Sequence, residues 1–177
     1  MNSRVRCRTV TVAVALLLSG CQSYRSGSLM HPQVRSVALG VFENRTDQPD
    51  AGTVVRGAVA RQFTADGSVR LADRRRADTL LVGRVLAFRT ERVAVAKRRS
   101  ERDRDRDEYQ STLFRAQLTV EFELHLSSGR TVLDTRQVVG ETEFSPLPDL
   151  SVARREALRH AANAVAVKLV AGVTEAW

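Results

Sequence analysis

Gln117-Leu118-Thr119-Val120-Glu121-Phe122-Glu123-Leu124-His125-Leu126 alternates without a break, with apolar residues at every even position and polar ones at every odd position. Successive side chains of a β-strand point to opposite faces, so a strict period of two describes a strand buried on one face and solvated on the other. The pattern predicts a sheet covered on one side only, and the neighbouring segments supply the cover.

On the C-terminal side, Ser127-Ser128-Gly129-Arg130 has the composition of a hairpin turn, and Thr131 to about Phe144 runs back as a further strand, ended by Pro146 and Pro148. From Ser151 the period changes to that of a helix. Leu158, Ala161, Ala162, Val165, Leu169 and Val173 form one stripe, with Arg154, Arg155, Glu156 and Arg159 largely off it. On the N-terminal side, Leu80 to about Ala96 reads as a long strand, preceded by the turn Arg74-Arg75-Arg76-Ala77-Asp78 and a brief strand over Val69 to Ala72. A helix from Thr53 as N-cap carries Val55, Ala58, Val59 and Phe63 at helical spacing and stops at Asp66-Gly67. Val34 to Phe42 is a strand that ends in the polar cluster Glu43-Asn44-Arg45-Thr46-Asp47, where Asn44 suits a left-handed turn. Strand, helix, strand is the order of a crossover between parallel neighbours. The expected architecture is α+β, in the order β-α-β-β-β-β-α, with two helices packed on one face of a mixed, mainly antiparallel β-sheet.

The start of the chain is an address. Arg4, Arg6 and Arg8 precede the apolar run Val10 to Leu18, and Leu18-Ser19-Gly20-Cys21 closes it. The run falls far short of the roughly 20 residues that span a bilayer, so residues 1–20 read as a lipoprotein signal peptide with a lipobox, and Cys21 as the acylated first residue of the mature chain. Each buried acyl CH₂ is worth about 0.8 kcal/mol, so several chains on one residue hold a domain at a membrane. Residues 21–32 are expected to comprise the acylated cysteine and a flexible tether, and residues 33–177 a single domain.

Cleavage leaves 25 basic residues against 20 acidic ones, a mature net charge of +5. Cys7 departs with the signal and Cys21 is acylated, which leaves the domain no thiol for a disulfide, a metal or a nucleophile. The pI of about 10.8 suits nucleic acid, but an exported chain does not meet it, and 26 of the 28 basic residues are arginine, a bias that base composition alone produces. Anionic lipid or glycolipid is the better match. His31, His125 and His160 stand at no metal-ligand spacing, and neither a Gly-rich phosphate loop nor a G-x-S-x-G elbow is present. Glu121 and Glu123 share one strand face without a third catalytic group beside them. No enzyme, cofactor or metal is expected.

Lys97 to Glu108 joins the two long strands and holds six basic and five acidic residues. The alternating Arg and Asp of 102–107 neutralise one another, whereas Lys97-Arg98-Arg99 concentrates positive charge at the expected hairpin tip, where Arg suits two-point binding of phosphate or carboxylate.

Phe42-Glu43-Asn44-Arg45-Thr46, the helix from Thr53, Arg76-Ala77-Asp78-Thr79-Leu80-Leu81-Val82-Gly83-Arg84-Val85 and the strand Leu118 to Leu126, in this order after a lipobox, resemble the LptE family of lipopolysaccharide-assembly lipoproteins. The resemblance implies a lipid-anchored protein of the periplasmic leaflet of the outer membrane. It implies two helices on a sheet, a place as plug and assembly partner of an LptD-like β-barrel, and binding of lipopolysaccharide on its way to the cell surface. Gln22 after the cysteine, where Asp is absent, is similar to lipoproteins sent to the outer membrane. By the same resemblance, Lys97, Arg98 and Arg99, and with them Arg154 and Arg155 near the start of the last helix, are the positions that meet lipid A phosphates. The strand followed by Phe-x-Asn-x-Thr is also similar to lipoproteins that activate penicillin-binding proteins and to those of curli-type secretion, which would make the chain a protein-binding module without a glycolipid site.

Overall fold

In the computed structural model, residues 28–29, 31–99, 107–128, 131–145 and 149–175 are described, with backbone only over 95–99 and 107–112. The signal segment, Cys21 and residues 22–27 lie outside the described residues. The elements follow the expected order: β1 (Ser36–Asn44), α1 (Ala51–Asp66), β2 (Arg70–Leu71), β3 (Thr79–Arg99), β4 (Asp107–Leu126), β5 (Val132–Phe144) and α2 (Leu150–Thr174). The sheet order is β2-β1-β3-β4-β5, with β1 parallel to β2 and to β3 and the remaining pairs antiparallel. Both helices lie on one face of this mixed α+β sheet.

The alternation along β4 sets the core. Leu118, Val120, Phe122 and Leu124 are buried to 1% exposure or less, and they join Val37, Leu81 and Val85 of the neighbouring strands. Against them lie Val55, Val59 and Phe63 of α1 and Leu158, Ala161, Ala162, Val165, Leu169 and Val173 of α2, all in the same apolar cluster. Each fully buried side chain of this size contributes roughly 1.5–3 kcal/mol. Leu126, the last of the series, is only half-buried because the sheet frays into the turn there.

Four local features differ from expectation. Helix α1 starts at Ala51 with Asp50 as its N-cap, and no side chain caps it. A Cβ at Gly52 would stand 2.3 Å from the Phe42 carbonyl oxygen, so the first turn is held by close backbone packing on β1 in place of a Thr53 cap. Asn44 closes β1 without a left-handed backbone, since Gly67 is the residue with positive φ among those described. Its side chain shapes the turn instead: Oδ1 accepts from the Thr46 amide at 3.0 Å and Nδ2 donates to the Gln48 carbonyl at 2.6 Å. Strand β3 continues through Lys97, Arg98 and Arg99, which pair in register with Tyr109, Glu108 and Asp107. The three positions expected at a loop tip therefore belong to the end of a strand, where the register sets opposite charges across from each other at its last two rungs. Finally, order begins before Pro32. Ser28 is 3% exposed, its hydroxyl donates to the Val173 carbonyl, and the Leu29 amide donates to the Thr174 carbonyl at 2.8 Å.

Both margins of the sheet, the part of β1 beyond β2 and the outer strand β5, are guarded by a cation from a helix. Strand β2 pairs with β1 only at Ser36 and Val37. Beyond it Arg56 of α1 donates to the Leu39 carbonyl at 3.1 Å and to the Gly40 carbonyl at 3.0 Å, where the β1–β3 register shifts. At the far side, Lys168 of α2 donates to the Val139 carbonyl of β5 at 2.7 Å.

Candidate functional site

Strand direction divides the molecule into two poles. β1 and β3 run upward from Ser36 and Thr79, both helices run downward, and the end of α2 is bonded to Ser28 and Leu29. The segment leading back to Cys21 therefore leaves from the lower pole. The Asn44 turn, the start of each helix and the long β3–β4 hairpin belong to the upper one.

At the upper pole Arg154 is fixed from two sides. Its guanidinium lies 5.6 Å from the centroid of the Phe88 ring, and Nη2 stands 3.2 Å from Asp47 Oδ2 in the loop after β1. Its Nε is buried with no hydrogen-bond partner among the described residues. Gln48, Asp149, Leu150, Ser151, Arg154 and Arg155 line an open recess of about 640 Å³. Asp149 caps α2 by accepting from the Ser151 amide at 2.7 Å, and the bond with Ser151 holds its carboxyl below the usual range. Arg155 is exposed on the recess rim. Chemically the Asp149 carboxylate already occupies the amides of the helix N-terminus and Asp47 pairs with Arg154, so Arg155 is the donor the recess offers to an anion.

The site residues expected from sequence fall into two groups. Arg154 stacks on Phe88, nine positions before Lys97 on the same strand, and at ~3.3 Å per residue the separation is about 30 Å. Arg154 and Arg155 thus share one recess, while Lys97, Arg98 and Arg99 stand farther out on the hairpin. Asp47 and Phe88, which position Arg154, carry no sequence signal of their own, because both contacts join residues far apart in the chain.

The uncovered face of the sheet carries the other polar array. Arg84 bridges Glu43 of β1 and Glu121 of β4, its opposite neighbours in register. The bond to Glu43, reinforced by the charge of Glu121, raises the Arg84 pKa further. Arg115 repeats the motif with Glu143 at 2.9 Å and Glu91 at 3.9 Å. His125 Nε2 stands 3.0 Å from Glu123 Oε2. Glu121, which reads as solvated from the sequence, thus forms a cross-strand ion pair with Arg84, while Glu123 contacts His125 on its own strand. Among the described residues no cluster of His, Cys, Asp or Glu is arranged to hold a metal, and no helix is long and apolar enough to cross a membrane.

Solved structures share this fold. A protein of Xanthomonas campestris aligns at 16% identity and a TM-score of 0.52, covering 84% of this chain and 85% of its own. A Helicobacter pylori protein described as a homologue of neuraminyllactose-binding hemagglutinin aligns at 9% identity and 0.50, with 87% and 91% covered. A dodecameric PelC variant of Paraburkholderia phytofirmans aligns at 21% identity and 0.49, with 80% and 89% covered. At these identities the likeness to the first two concerns the fold alone. No curated protein matches the chain. Residues 34–171 match the LptE family, described as lipopolysaccharide-assembly, and this span runs from the residue that leads into β1 almost to the end of α2. The chain belongs to the LptE family of non-catalytic lipopolysaccharide-assembly lipoproteins of the outer membrane.

Proposed function

We propose that this protein is held in the periplasmic leaflet of the outer membrane by acyl chains on Cys21. There it plugs and assists the assembly of an LptD-like β-barrel and binds lipopolysaccharide as it passes to the surface. The observation that carries this reading is the family match over residues 34–171, which spans nearly every element of the fold. The geometry of the upper pole supports it. Exposed Arg155 offers charge-assisted hydrogen bonds to a phosphate group, and Arg154, held by Asp47 and Phe88, lies beside it. Lys97, Arg98 and Arg99, farther out along β3, are the further positions proposed to meet phosphate. A plug of this kind requires no cofactor.

Affinity purification from detergent-solubilised envelopes tests both parts. The wild-type chain is expected to bring down a β-barrel together with lipopolysaccharide. Changing Lys97, Arg98 and Arg99 to Ser should leave the barrel in place and lower the lipopolysaccharide recovered, and added salt should weaken the wild type more than the variant. Equal recovery by both proteins at low salt removes the three residues from the site. A complex that holds a penicillin-binding protein and no barrel overturns the reading.

A further inference from the structure

The lower pole carries charge that the proposed role leaves unused. Between β2 and β3 the chain makes one tight turn, in which the Arg76 and Ala77 amides donate to the Asp73 carbonyl at 2.8 and 3.0 Å. The turn carries Arg74, Arg75 and Arg76, all exposed, with Arg74 and Arg76 on the rim of a groove that Leu71 also lines. Arg70 and Arg35, both exposed, are brought together when the Arg70 amide donates to the Arg35 carbonyl at 3.1 Å. None of these five arginines has a carboxylate within ion-pair distance among the described residues. Acids are present at this pole, but two of them are turned onto backbone. Asp66 accepts from the Ser68 amide, and Asp78 Oδ2 accepts from the Arg35 and Ser36 amides and the Ser36 hydroxyl. Apolar side chains accompany the arginines: Leu29 is 66% exposed, Val132 45% and Leu71 39%.

The exit of the chain lies at the same pole. Ser28 and Leu29 are pinned to the last turn of α2, and seven residue steps separate Ser28 from Cys21. At no more than ~3.6 Å per step, an acylated Cys21 keeps this pole within about 25 Å of the bilayer. We infer that the lower pole docks on anionic phospholipid headgroups, with Arg70, Arg74, Arg75 and Arg76 meeting the phosphates and Leu29 and Leu71 seated at the interface. On a bilayer that holds no barrel, the state before plugging, the domain then stands with its upper pole directed away from the headgroups. Arginines paired with exposed leucines suit such a surface, because the guanidinium stays with the phosphates while apolar area leaves water. The orientation rests on acylation of Cys21, whereas headgroup binding by the arginines does not.

The test uses the acylated chain reconstituted in phosphatidylcholine vesicles with or without phosphatidylglycerol. A fluorophore at Ser68→Cys reports on the lower pole, one at Asp50→Cys on the upper, and headgroup-linked acceptors measure proximity. Transfer from position 68 should rise when phosphatidylglycerol is present and fall with salt, while transfer from position 50 stays low. Each basic residue near an anionic surface changes the docked population by roughly fivefold, so Arg74→Ser/Arg75→Ser/Arg76→Ser should lower the docked-to-free ratio on the order of a hundredfold. Equal transfer from position 68 in both vesicle types overturns the inference, as does a triple variant that keeps it. Loss of the chain from phosphatidylcholine vesicles on flotation counts against acylation alone, and the arginine pole is then read from binding to anionic vesicles.

Discussion

At the scale of single residues, Asp78 shows how a charge in an exposed turn acts on the fold. Its Oδ2 accepts from Ser36 Oγ at 2.8 Å and from the amides of Ser36 at 2.9 Å and Arg35 at 3.1 Å, clamping the start of β3 to the start of β1. The hydroxyl bond from Ser36 and the two amides lower its pKa from 3.8. A carboxyl whose pKa is lower in the folded than in the unfolded state stabilises fully above the unfolded value, and loses that contribution as pH falls through 3.8 toward the folded value. Asp78→Asn should therefore be less stable than wild type near neutrality, with the gap closing below pH 3.8; chemical denaturation across pH measures it. The exposure of the site keeps the effect small. Asp78 was visible in the sequence as part of a turn, yet its partners, more than forty positions away, were not. The same limit hid Asp47 and Phe88 around Arg154. Local pattern identifies the residue that carries charge, and only the tertiary approach identifies what holds it.

Elements read well from the sequence wherever burial is one-sided, because a half-buried strand or helix must repeat its apolar residues at its own period. The β4 alternation and the α2 stripe gave both position and facing, and all six residues of that stripe are buried. Element ends read less well. The extension of β3 through Lys97–Arg99 depends on pairing with β4, in a stretch whose charged composition resembles a loop. The start of α1 depends on backbone contact with β1. Close approach of elements also leaves only a faint trace, a lone glycine within a strand. Gly140 of β5 is such a case: a Cβ there would stand 2.2 Å from the Ala161 carbonyl oxygen and 2.7 Å from the Val165 amide nitrogen. Both are backbone atoms of α2, so the helix must shift as a unit. Gly140→Ala should destabilise by about 1–3 kcal/mol, read as a lower denaturant midpoint with an unchanged slope.

On the scale of the whole molecule, the sheet is open at both margins, and each margin depends on a helix for its guard. An edge strand presents unpaired carbonyls and amides that a strand of another chain can join, and inserted cations are a common defence. Removing both guards with Arg56→Ala/Lys168→Ala should leave the monomer folded but promote concentration-dependent association rich in intermolecular β-structure. Analytical ultracentrifugation with infrared spectroscopy tests this, and a variant that remains monomeric at high concentration would show that the guards are dispensable. The same two side chains tie margin protection to helix docking. When α1 or α2 lifts away, the apolar floor and the nearer edge are uncovered in one event. An export chaperone that retains this chain until its helices have closed would therefore suppress both hazards at once, and the time to helix closure, more than final stability, sets the window in which nascent copies cross-pair in the envelope.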